Sequence, residues 1–330
     1  MNLNLKTVLK YLILFLIGLG VLFLAFRGQD LDKIWLEIKS ANFLWIGISA
    51  FSVWIAHILR ALRWRMLYHS MRYPVSFWNT YHAVMVGYLA NLALPRFGEI
   101  GRCTVIHRTE KVPMFASIGT VITERLFDIA VLILTATVML IFQDDIIVDF
   151  LSISIYPVLE KKISSISYFW LISIGILVIA LTVLGIYWLR QKFGHKLLRI
   201  FVNLRLGFSS YHKLKHKSIF LLYSLGIWIC YLVSIYFAFS AIPATSQLGI
   251  NAAFTAIVFS SFAMAAPVQG GIGVFHWMVA QALTLYAVSL KDGLAYSTII
   301  HSSQILMVLP LGSLSLFISL GHKKMAQSKI

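Results

Sequence analysis

Residues 218–241 run for 24 positions without a charged side chain, and residues 115–142 are interrupted only by Glu124, Arg125 and Asp128. A helix rises about 1.5 Å per residue, so about 20 apolar residues cross a hydrocarbon core about 30 Å thick. Comparable stretches lie near 8–26, 43–59, 168–189 and 295–320. The chain is 59% hydrophobic and 12% charged, about half the charged share of an ordinary soluble domain. These features predict an all-α polytopic membrane protein with about six full spans. Lys6 and Lys10 precede an apolar stretch with no small-x-small cleavage site at its end, which predicts an uncleaved first helix.

Two shorter apolar segments, 79–95 and 251–267, each run into a Pro and Gly break. Pro95, Gly98, Ile100 and Gly101 recur at the same offsets as Pro267, Gly270, Ile272 and Gly273. Paired interrupted segments in the two halves of a membrane protein point to a transport site. If 79–95 crossed fully, 96–111 would have to cross back carrying Arg96, Glu99, Arg102, Arg108 and Glu110, which is costly against lipid. The sequence therefore predicts a re-entrant first pair entering from the cytoplasm. A second broken pair starts and finishes on the outer side, whether it dips in or spans fully, for two broken or re-entrant helix pairs in all.

Orientation follows from the basic residues. With the N-terminus in the cytoplasm, 21 Lys and Arg fall inside and six outside, and the reverse orientation exchanges those numbers. Both termini and the loop 190–217 are thus expected to be cytoplasmic. Each half then reads as two spans, a broken pair and one span, in opposite orientations. The expectation is a single transmembrane domain over 1–330, with inverted halves at about 1–142 and 168–320.

Irregular backbone at membrane depth must be buried in protein or line a wet cavity, so the two breaks should meet near the membrane middle. Their glycines have two readings, as turn and helix-packing positions or as close-approach positions lining a cavity. Glu124 lies about nine residues from the cytoplasmic end of its span, roughly 13 Å deep. Glu124 and Asp128 are four apart and share a helix face, so a cation or a proton must relieve their repulsion. Arg96 and Arg102 are the candidate cations. The acids and Arg125 could equally serve as ion pairs that hold the re-entrant element down.

His276 follows the second break, and His301 and Gln304 share a face of the last span. Each histidine is a packing residue or a proton carrier. Asn91, Gln269 and Gln281 are candidate cavity-lining groups. Arg60, Arg63, Trp64 and Arg65 read as an interfacial anchor near lipid phosphates. The eight Lys and Arg between Arg190 and Lys217 form either a similar surface helix or a solvated basic loop.

Several classes are disfavoured. The net charge of +16 sits between apolar runs, so it points away from nucleic acid. Cys103 and Cys230 alone make no disulfide framework, and the histidines lack metal-ligand spacing, so no metal is expected. No phosphate-binding Walker loop, metalloprotease helix motif or Gly-x-Ser-x-Gly elbow is present, so no cofactor or nucleotide is expected.

The run Arg-Ala-Leu-Arg-Trp-Arg (60–65), Asn91 with Leu94-Pro95-Arg96-Phe97-Gly98-Glu99 to Arg102, Glu124-Arg125 with Asp128, and Pro267 with Gly270-Gly271-Ile272-Gly273-Val274-Phe275 resemble the flippase-like family. This is the lysylphosphatidylglycerol synthase transmembrane-region family, and the resemblance covers roughly residues 5–320. It implies a bacterial or archaeal cytoplasmic-membrane protein that moves lipids or lipid-linked head groups between leaflets. Bifunctional relatives add a soluble aminoacyl-transferase domain, which is not expected here because the chain ends about ten residues after its last span. The family often has an acid after Gly-Ile-Gly-Val-Phe, where this chain has His276.

The sequence reading is a lipid flippase or translocase with a polar midplane cavity. Asn91, Arg96, Glu99, Arg102, Gly270, Gly271 and Gly273 are the candidate head-group residues. Glu124, Arg125, Asp128, His276 and His301 are candidates for charge balance or proton coupling. An anionic head group is favoured, because half-helix N-termini and two arginines lie beside the first break. The alternative is a membrane-embedded transferase, or an accessory subunit of a lipid-modifying enzyme, acting on a lipid carrier.

Overall fold

The computed structural model describes residues 41–142 and 202–327, with a few isolated positions before Ala41. The spans expected near 8–26 and 168–189 lie outside the described residues, as does the first part of the basic loop. Every regular element among the described residues is helical. Four helices are long and apolar enough to cross a membrane: α1 (Phe43–Ser70), α4 (Met114–Phe142), α5 (Lys217–Phe239) and the Leu290–Gly321 part of α8 (Leu290–Gln327). Between them lie two pairs of shorter helices, α2 (Phe77–Ala93) with α3 (Gly98–Glu110), and α6 (Ile250–Ala265) with α7 (Val274–Thr284).

Local chemistry sets the boundaries. Asn42 Oδ1 accepts from Leu44 N at 3.0 Å and caps α1. Residues before proline are pushed out of the helical region. Leu94 (ψ 122°) and Ala266 (ψ 144°) are extended accordingly, so Pro95 and Pro267 end α2 and α6 by the same device.

The 172-residue interval between Pro95 and Pro267 carries 77–93 onto 249–265, where α6 is found. The packing obeys the same exchange. Helix α2 packs on α8 while α6 packs on α4; α3 packs on α4 while α7 packs on α8; α1 and α5 pack on each other. The α1–α5 contact is antiparallel. Asn42 N donates to Ala241 O at 2.8 Å, Ser49 Oγ meets Ser234 Oγ at 2.7 Å, and Arg63 Nη1 donates to Ser224 Oγ at 3.0 Å.

Helices α2 and α3 form a hairpin that returns to its starting level. At its mouth, Ser76 N and Asn79 Nδ2 both donate to Glu110 Oε1, at 2.9 and 2.7 Å. At its tip, Gly98 N donates to Asn91 Oδ1 at 2.7 Å. A Cβ added at Gly87 would lie 3.0 Å from the Gly98 carbonyl oxygen, so two glycines let these backbones touch.

The far end of the basic loop folds onto the first half. A helical stretch at 202–208 crosses α4 where a Cβ added at Gly119 would lie 2.9 Å from Gly207 Cα. Phe127, Tyr211 and Phe220 pack there, with ring centroids 4.5–5.4 Å apart. This part of the loop is packed against α4.

Candidate functional site

The two breaks meet. Ala93 and Ala265 are the last residues of α2 and α6, and such end carbonyls have no partner within their own helix. Each is satisfied from the other half: Arg96 Nη2 donates to Ala265 O, and Gln269 Nε2 donates to Ala93 O at 3.0 Å. Arg96 is exposed and left-handed, with φ 59°.

Although the Gly positions repeat in sequence, their conformations differ. Gly270, Gly271 and Gly273 have φ of 57°, 78° and 82°, a region that favours glycine. Gly98 and Gly101 lie within helix α3. The turn reading holds for the second break, and the helix-packing reading holds for Gly98.

Beside the first break lies a cluster of ion pairs. Arg63 on α1 reaches Asp128 Oδ1 at 2.8 Å and Glu124 Oε1 at 3.4 Å, so one guanidinium bridges the two acids of α4. Arg102 Nη2 lies 2.8 Å from Glu124 Oε2, with its guanidinium 4.4 Å over the Trp64 ring. Arg60 Nη1 lies 3.2 Å from Asp128 Oδ2. Arg125 contacts Asp128 at 3.5 Å and Glu99 at 2.7 Å, and this outer pair is about half exposed. The side chains of Arg63 and Glu124 are fully buried. In such surroundings, removing one partner of a pair typically costs about 3–5 kcal/mol.

The cations differ in part from those expected. Arg102 does meet Glu124, whereas Arg96 contacts the Ala265 carbonyl in the other half. Arg60 and Arg63, read from sequence as interfacial anchors, are 6% and 0% exposed and sit inside the cluster. Arg65 donates its Nε to Val75 O at 3.0 Å. Tyr88 and Tyr231 were not singled out from sequence. Their hydroxyls lie 3.4 Å apart, and Tyr231 accepts from Arg60 Nη2 at 3.4 Å. The three-residue spacing of Arg60 and Arg63, set against the four-residue spacing of Glu124 and Asp128, was the readable signal for the cluster.

The histidines gather at the second break. His301 Nε2 lies 2.8 Å from Gly270 O, and Gly273 N donates to His276 Nδ1 at 3.2 Å. The two rings are 4.9 Å apart, and Phe275 stacks on His301 at 4.8 Å. Both histidines therefore brace the irregular backbone of the second tip. Gln281 and Gln304 are partly buried. No group of three or more metal-ligating side chains occurs among the described residues.

The model of the family described as the lysylphosphatidylglycerol synthase TM region matches residues 9–312. No curated protein and no solved structure matches the chain. With its long apolar helices and a match that spans nearly its whole length, the chain is a multi-pass membrane protein and belongs to the lysylphosphatidylglycerol synthase transmembrane-region family.

Proposed function

We propose that this protein is a lipid translocase that moves a lipid, or a lipid-linked head group, across the membrane along the seam where its two broken hairpins meet. The observation that carries the reading is the reciprocal capping of Ala93 by Gln269 and of Ala265 by Arg96. Helix ends satisfied from across a seam can exchange partners without unfolding either hairpin, which suits alternating access. The antiparallel α1 and α5 support an inverted repeat with a two-fold axis in the membrane plane, within one domain of about six spans. A bacterial or archaeal cytoplasmic membrane and two cytoplasmic termini complete this reading.

Asn91, Arg96, Glu99 and Arg102 on the first hairpin, with Gly270, Gly271 and Gly273 on the second, would meet the head group. Arginine presents a planar fork of donors suited to phosphate, and the N-terminal end of α3 adds partial positive charge. An anionic head group fits this better than a cationic one. Glu124, Arg125 and Asp128 would hold the charge balance. His276 and His301 would be the groups able to take a proton during the cycle.

The family description names a lipid synthase, which favours a second reading: a membrane-embedded transferase, or a subunit serving a lipid-modifying enzyme. One experiment separates the two. Purified protein is reconstituted into liposomes containing phosphatidylglycerol labelled on an acyl chain, and outer-leaflet label is quenched with time. Protein-dependent redistribution of unaltered lipid is expected. A new covalent lipid product without redistribution would favour the transferase.

A further inference from the structure

Three guanidinium donors of the cluster have no hydrogen-bond partner, Arg63 Nε, Arg102 Nη2 and Arg60 Nε, and of these side chains the most exposed, at 8%, is that of Arg60. Its Nη1 reaches Asp128 at 3.2 Å, its Nη2 reaches the Tyr231 hydroxyl at 3.4 Å, and its buried Nε has no partner. Charge-assisted N–H···O bonds usually run about 2.7–2.9 Å. Arg63 Nη1 and Arg102 Nη2 lie 2.8 Å from Asp128 Oδ1 and Glu124 Oε2 as ion pairs, although Asp128 Oδ1, Glu124 Oε2 and Arg102 Nη2 have no hydrogen-bond partner. Asp128 is shared among three arginines: Arg63 lies 2.8 Å from its Oδ1, while Arg60 and Arg125 both meet its Oδ2, at 3.2 and 3.5 Å, so Arg60 has no carboxylate oxygen to itself.

Beyond Asp128, the polar groups around Arg60 are two tyrosine hydroxyls and an imidazole, none of them a carboxylate. The Tyr231 hydroxyl lies 3.4 Å from that of Tyr88, and the Tyr88 ring packs on His57 with centroids 4.1 Å apart. His57 is 3% exposed, and its Nδ1 has no partner.

The charges do not balance. Arg60, Arg63 and Arg102 face two enclosed carboxylates, Glu124 and Asp128, while Arg125 and Glu99 neutralise each other at 2.7 Å. The remaining acids among the described residues are engaged elsewhere. Glu110 accepts at the first hairpin mouth, and Asp292 accepts from Ser289 Oγ at 2.6 Å beside Lys291. One enclosed positive charge therefore lacks a counter-charge among these residues, an unfavourable state that a bound anion relieves. Access remains on the Arg60 side, where the side chains of Arg60 and Asp128 are 8% and 11% exposed.

We propose that Arg60, with Tyr231, Tyr88 and His57, forms an anion site that accepts one phosphate-like group, supplied by a lipid phosphodiester or by free inorganic phosphate. The lipid source rests on the translocase reading, whereas the binding chemistry does not require transport.

The test is thermal unfolding of the full chain in neutral detergent, followed by tryptophan fluorescence at constant ionic strength. Sodium phosphate is titrated against sodium gluconate, and phosphatidylglycerol against phosphatidylcholine. A saturable rise in unfolding temperature is expected with phosphate, phosphatidylglycerol or both. A response to the lipid alone identifies the lipid source, and a response to phosphate alone identifies the free anion. Arg60→Gln should weaken the apparent affinity by about tenfold or more. Arg108→Gln, which alters an exposed arginine of α3, should leave it unchanged.

No rise with either anion overturns the proposal, as does an unchanged response in Arg60→Gln. Equal losses in Arg60→Gln and Arg108→Gln also overturn it, because diffuse basic charge would then explain the effect. If Arg60→Gln does not fold, Tyr231→Phe removes one hydroxyl and keeps the ring. A several-fold weaker response supports the site, and an unchanged one rejects it. A liposome assay that fails while the anion response persists would reject translocation alone.

Discussion

Glu124 Oε2 lies 2.8 Å from Arg102 Nη2, and the carboxylate is completely buried. Replacing Glu124 by Gln leaves three enclosed arginines against one carboxylate, whereas replacing Arg102 by Gln leaves two against two. Glu124→Gln is therefore expected to cost about 3–5 kcal/mol and Arg102→Gln distinctly less. Unfolding in detergent measures both, and equal losses would refute the charge argument. Folded Arg102→Gln protein should also fail to move a phosphate-headed lipid. If it moves such lipids normally while Glu124→Gln stops transport of a cationic lipid, the acids define the site.

The reciprocal bonds at the hairpin tips predict an effect that crosses between the halves. Gln269→Ala removes the donor to Ala93 O, so amide exchange should rise at 94–98, in the first tip. Arg96→Ala removes the donor to Ala265 O, so exchange should rise at 266–273, in the second. Hydrogen-exchange mass spectrometry reads both. Increases confined to the substituted tip would show that the bonds do not join the halves.

Two glycines of the first break should respond differently to alanine. A Cβ at Gly98 would strike the Gly87 carbonyl oxygen and come within 2.7 Å of the Asn91 amide, with backbone on one side. Overpacking of this kind costs about 1–3 kcal/mol. A Cβ at Gly101 would meet Ala90 Cβ at an ordinary 3.5 Å, so Gly101→Ala should be nearly neutral. Similar unfolding temperatures for the two variants would contradict the hairpin geometry.

With Arg60, Arg63 and Arg102 drawn into the buried cluster, 18 of the 21 basic residues counted inside remain against six outside, which still predicts the cytoplasmic location of both termini. Reporters fused after Ile330 and near Asp145 should give cytoplasmic and periplasmic signals respectively. A periplasmic signal from the C-terminal fusion would reverse the orientation.

Much of this architecture was legible because lipid restricts the options. The long apolar runs, the two breaks and the family all follow from residues whose alternatives are costly in a membrane. The Arg60 to Arg65 stretch misled because charge at the end of an apolar run usually marks the interface. Here the helix continues to Ser70, and Arg60 and Arg63 turn inward to Asp128 and Glu124. Arg96 misled for another reason, since the left-handed tip carries it across to the other half. Tyr88 and Tyr231 lie in apolar runs, where a single tyrosine has no periodicity to mark it. The identical Pro-x-x-Gly-x-Ile-Gly runs concealed a difference in backbone, because helix α3 starts at Gly98 whereas α7 starts only after Gly273.

The seam also has a consequence for biogenesis. Ala93 leaves the ribosome 176 residues before Gln269, the side chain that caps it. At about 5–20 residues per second, the first hairpin waits roughly 10–35 s with an open helix end. Throughout that interval the nascent chain holds a backbone acceptor that nothing among the described residues of its own half closes. Membrane insertion of the first half should therefore depend on shelter by the insertion machinery until the second hairpin arrives.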